Sequence, residues 1–112
     1  MNILEQYNLA LDEERMKHEA AAKEAASAGN DRMHSVHLMQ ASMLDQMLKV
    51  LGRVEHEGKR PNALENLIAS FNEEAERQRK LGDYDASDRA ERKAITVQFA
   101  LDALREAERN GQ

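Results

Sequence analysis

Asn2-Ile3-Leu4-Glu5 and Asn62-Ala63-Leu64-Glu65 are the stretches whose reading decides the fold. An Asn followed three residues later by Glu closes a capping box. The amide side chain accepts from an otherwise unbonded N–H of the first turn, and the carboxylate reaches back to the cap. Each stretch opens an apolar run of helical period, and each run stops at a Gly followed by an amide or acid, Gly29-Asn30 and Gly82-Asp83. A further run follows each turn, so the pattern is a helical hairpin written twice.

Working outward, the first helix carries Leu4, Tyr7, Leu11, His18, Ala21, Ala25 and Ala28 on one stripe, and the third carries Leu64, Leu67, Ile68, Phe71, Ala75 and Gln78. From cap to closing Gly the two runs differ by seven residues, two turns, which leaves a buried face unrotated. A shift of 53 residues aligns Gly29 with Gly82, Ala41 with Ala94, Leu48 with Leu101, and Leu51 with Leu104. Asp31, and Asp83 or Asp85, stand where N-caps of the returning helices belong. Short Gly-Asn and Gly-Asp turns make neighbours antiparallel. The expected fold is all-α: an antiparallel four-helix bundle, one domain over 1–112, with hairpins at about 2–57 and 62–110.

Composition agrees. Apolar residues make up 41% and charged residues 33%, while aromatics are only 4%, so the core is aliphatic. A single Pro and five Gly favour helices over sheets joined by tight turns. Without Cys there are no disulfides, thiolate metal sites or thiol nucleophiles. The chain opens on an acid before any apolar stretch and has none near the roughly 20 residues of a membrane span, so a cytoplasmic protein with no membrane contact is expected. The net charge of −5 is spread over mixed-sign helices and offers no basic face for a phosphate backbone, so direct nucleic-acid binding is not expected.

The second helix has an unusually wide apolar surface. One stripe runs Met33, His37, Gln40, Leu44, Leu48, Leu51; beside it lies Val36, Met39, Met43, Met47, Val50, Val54. The fourth helix adds Ile95, Phe99 and Ala103 beside Ala90, Ala94, Val97, Leu101 and Leu104. Contact with two neighbours absorbs much of that width. Any excess is an adaptable Met-rich surface, so Met39, Met43, Met47, Val50, Ile95 and Phe99 are the candidate interaction residues. The leading expectation is a non-enzymatic interaction or adaptor protein, a homodimer or small homo-oligomer, with no cofactor.

Chemistry has fewer footholds. Counting back from Gly29 places His18 opposite Gln40 to Leu44 and Ala22 opposite His37, so Glu14, His18, His37 and Gln40 can form a polar layer inside the first hairpin. Asp31-Arg32-Met33-His34 is the nearest approach to a Glu-x-x-His metal pair and has no second copy, which excludes a dinuclear carboxylate centre. Arg32 and His37 resemble the Arg-x4-His spacing of HEPN ribonucleases; the resemblance covers six residues and implies a small hydrolase or RNA-cleaving dimer using the His18, His34 and His37 region. It departs at Met33, where that family favours a polar residue, and in lying early in the chain. Phe71, Ala75, Gly82, Tyr84 and Ala94 are similar in spacing to a tetratricopeptide or MIT-type hairpin, which implies a peptide-binding scaffold, although Glu74, Gln78 and Glu91 replace large apolar residues there. An acidic inhibitor of a nucleic-acid enzyme is the third expectation.

Overall fold

The computed structural model describes residues 2–51 and 60–110, with the side chains of residues 49–51, 60 and 61 set aside. Those residues form four α-helices and no strand: α1 (Ile3–Ser27), α2 (Asp31–Leu51), α3 (Arg60–Lys80) and α4 (Tyr84–Asn110). α1 pairs with α2 and α3 with α4, and the two hairpins pack as a four-helix bundle.

Asn2 caps α1 as its sequence predicts. Its Oδ1 accepts from the Glu5 backbone N–H at 2.8 Å, and its Nδ2 donates back to Glu5 Oε1 at 3.0 Å. Asn62 does not repeat the box. α3 begins at Arg60, so Asn62 lies within its first turn, and Glu65 accepts from Arg105 of α4 at 2.7 Å. Pro61 accounts for the earlier start. Its ring fixes φ near the helical value, and it lacks an N–H that the first turn would leave unbonded anyway.

Both hairpins turn by the same device. Gly29 and Gly82 hold φ of +75° and +81°, where an L side chain is strained. Gly29 N–H donates to the Ala26 carbonyl (3.1 Å) and Asn30 N–H to Ala25 (2.8 Å); Gly82 donates to Arg79 (3.0 Å) and Asp83 to Gln78 (2.9 Å). These are paired Schellman closures. Asn30 and Asp83 then cap the returning helices, accepting from the backbone N–H of Met33 (3.2 Å) and Ala86 (3.0 Å). The α2 cap is therefore Asn30 and not Asp31, which is already the first helical residue.

The Schellman bond sets the register. Asn30 is drawn back beside the Ala25 carbonyl, so α2 starts about one turn short of the end of α1. His18 consequently meets His37, and Ala22 meets His34, one turn from the positions that counting back from Gly29 gives.

α4 is the spine. It packs against α1, α2 and α3, whereas α3 packs on α4 and makes little contact with α1 or α2 among the described residues. The result is a slab of 44 × 34 × 21 Å. Ala90, Ala94, Val97, Leu101 and Leu104 are buried, as predicted, and Ser87, Thr96, Ala100 and Ala107 are buried too, because α4 has neighbours on several sides. Tyr7 and Leu11 of α1, Leu44 and Met47 of α2, and Leu64 of α3 complete the cluster; Leu48 is half-buried against it. Burying each large aliphatic side chain contributes about 2–3 kcal/mol. Across the α2–α4 seam, Gln40 Nε2 donates to Thr96 Oγ1 at 3.2 Å, and that hydroxyl donates to the Arg92 carbonyl at 2.8 Å. Among the described residues no helix is long and apolar enough to cross a membrane.

Candidate functional site

The polar layer exists, and it is more specific than its sequence suggests. His18 and His37 face each other across α1 and α2, with Nδ1 to Nδ1 at 3.0 Å and ring centroids 5.3 Å apart. On its far side His18 Nε2 lies 3.5 Å from Glu14 Oε1, one turn back on α1. At that distance Glu14 is an ion-pair partner for a protonated His18. In the neutral pair one Nδ1–H donates and the other Nδ1 accepts, in a direction set by the tautomer. Burial pushes the His18 imidazole below its ordinary value, Glu14 opposes that, and the His37 ring adds to the lowering. Gln40 is not part of this layer: it is buried against Thr96 of α4.

His34 sits beside the pair. Its Nδ1 lies 2.9 Å from the Ala22 carbonyl, which only accepts, so that nitrogen carries the proton. The same bond recurs in the second hairpin. Ser87 Oγ donates to the Ala75 carbonyl at 2.8 Å, and both residues lie 53 positions on from His34 and Ala22. Ala22 and Ala75 are both buried. The 53-residue shift thus carries a side chain to backbone bond as well as a turn. His18 and His37 map onto Phe71 and Ala90, so the second hairpin has an apolar layer where the first has imidazoles.

Arg32 and His37 are not brought to one site. Arg32 crosses to α4 and pairs with Asp85 and Asp88, each at 3.2 Å, while His37 turns to α1. No group of three His, Asp or Glu side chains among the described residues is arranged to hold a metal ion.

The Met strip faces inward more than outward. Met47 is buried in the core, Met43 packs against it, and Met39 is half-buried; the side chain of Val50 lies outside the described residues. α2 meets both α1 and α4, which uses its extra width. Phe99 is also half-buried against the core. Ile95 differs, at 64% exposed, and Leu67 of α3 is 41% exposed. Ile95 lines an open groove between α3 and α4 together with Ile68, Asn72, Glu91, Ala94 and Gln98, whereas Leu67 lies outside that groove. Sequence reading placed Leu67 on the buried stripe of α3; with α4 as the main neighbour of α3, that stripe is only partly covered.

Other clefts run between α1 and α4, at Gln6, Ala10, Phe99 and Ala103, and on the opposite side of α3–α4, at Phe71, Arg89, Ala90 and Lys93. Lys93 Nζ lies 5.8 Å from the Phe71 ring centroid. Neither cleft borders the His18–His37 pair. No protein family matches the chain, and no characterised protein or solved structure is significantly similar to it.

Proposed function

We propose that this chain is a helical interaction module that pairs with a second copy of itself through the open side of the α3–α4 hairpin. The supporting observation is that α3 rests mainly on α4, which leaves Ile95 exposed in an open groove beside Ile68 and Ala94, with Asn72, Glu91 and Gln98 around them. Exposed apolar anchors of this kind, set in a polar rim, are what an association surface needs. Charge favours a second copy. The chain carries −5 overall, but α3 holds four acidic and four basic residues, and the groove edge is spanned by the Arg79–Glu91 ion pair. Two copies therefore meet there without like-charge repulsion, and a two-fold axis uses each anchor twice.

Sedimentation equilibrium across the micromolar range tests this reading. The wild type dimerises, and Ile95→Glu yields a monomer whose melting temperature is unchanged, while Leu67→Glu, outside the groove, leaves the dimer in place. A wild type that stays monomeric, or a dimer that Ile95→Glu leaves intact, contradicts it. A second reading, hydrolysis by the first hairpin, has the Glu14–His18–His37 chain in its favour. It predicts RNA or phosphoester cleavage that His37→Ala abolishes, and equal background rates end it.

A further inference from the structure

We propose that His18 and His37 form a proton-counting latch between α1 and α2, which tolerates one added proton and is opened by the second. The geometry carries the argument. The two Nδ1 atoms lie 3.0 Å apart, with room for one hydrogen between them. In the neutral pair that hydrogen belongs to one ring and the other ring accepts it. A first added proton on the outer nitrogen of the donor ring leaves the shared hydrogen bond intact and makes it charge-assisted. A second must go to the acceptor ring's Nδ1, because a neutral ring that accepts at Nδ1 already carries its proton on Nε2. Two N–H groups then point at each other with no acceptor, and two imidazoliums share one contact. The pair takes up protons in two separated steps that belong to both rings together.

The surroundings do little to hold the second charge. From α1 the facing carboxylate is Glu14, which also lies 3.9 Å from Lys17 Nζ. From α2 comes His34, occupied by the Ala22 carbonyl. On α4, the helix packed on α2, Arg89 is turned to the Ser35 hydroxyl and Arg92 to Asp88, so neither is committed to the imidazole pair. α3 packs elsewhere. His18, lowered chiefly by burial, is neutral in the folded chain at pH values where the unfolded chain would protonate it. Its contribution to stability is therefore complete above about pH 6.5 and is lost as pH falls from there toward the depressed folded value. The second hairpin supplies an internal control, since Phe71 and Ala90 occupy the equivalent positions and do not titrate.

The test uses those residues. His18→Phe/His37→Ala gives the first hairpin the layer that the second already folds with. Between pH 7.5 and 5.0 the wild-type melting temperature should fall by about 5 °C more than that of the double variant, for each pH unit by which folding lowers the His18 value within that range. His18 ring resonances followed by NMR give a readout at equilibrium in the folded chain. In the wild type His18 titrates below the free-imidazole value, and in His37→Ala its titration moves upward. Parallel melting curves for wild type and double variant, or a His18 titration that His37→Ala leaves in place, would overturn the latch.

Discussion

Truncating Leu104 to Ala in α4 and Leu67 to Ala in α3 separates a spine from an outrigger. Leu104 is 1% exposed and belongs to the cluster formed with Tyr7, Leu11, Leu44, Val97 and Leu101. Its truncation removes about three methylene equivalents at about 0.8 kcal/mol each, and the cavity left in an aliphatic core brings the loss to roughly 3–5 kcal/mol. Leu67 is 41% exposed, so the same change there removes far less buried surface and costs under about 1 kcal/mol. For a chain of 112 residues, unfolding entropy near 60 °C is about 0.24 kcal/mol/K. Leu104→Ala should therefore lower the melting temperature by roughly 13–20 °C and Leu67→Ala by no more than about 4 °C. Circular dichroism at 222 nm follows both melts, and urea midpoints at constant m confirm that the change lies in stability. Losses within about 1 kcal/mol of each other would refute the reasoning, because α3 and α4 would then share the core equally.

Two further predictions follow from the hydrogen bonds. Asn2→Ala and Asn30→Ala each remove a cap and should destabilise by about 0.5–2 kcal/mol in urea titrations, whereas Asn62→Ala, inside α3, should change stability by less than about 0.5 kcal/mol. Thr96→Val leaves the buried Gln40 amide without its acceptor and should cost about 1–3 kcal/mol, whereas Gln40→Leu leaves Thr96 still bonded to the Arg92 carbonyl and should cost less; the double variant recovers part of the Thr96→Val loss, a coupling that a double-mutant cycle measures directly.

The helices, their pairing and the buried stripe of α4 were legible because period, capping residues and turn glycines are local signals. Ala90, Ala94, Val97, Leu101 and Leu104 all proved buried. What was not legible depended on longer-range geometry. The one-turn register offset comes from Asn30 N–H reaching the Ala25 carbonyl, which periodicity does not encode; it set His18 directly against His37 and took Gln40 out of the expected layer of Glu14, His18, His37 and Gln40. The inward turn of Met47 reflects which helices α2 meets. The 53-residue shift that aligns Gly29 with Gly82 also aligns Ala22 with Ala75 and His34 with Ser87, the four residues of the repeated bond, so the sequence does carry that signal.

Native-state hydrogen exchange, resolved by residue, tests most directly whether α4 is the spine. Amides from Ala94 to Leu104 should exchange slowest, opening only with global unfolding, while those in the middle of α3 open by a lower-energy detachment from their one main neighbour. Protection in α3 equal to that in α4, or slowest exchange in α1 or α2 instead, would contradict the account.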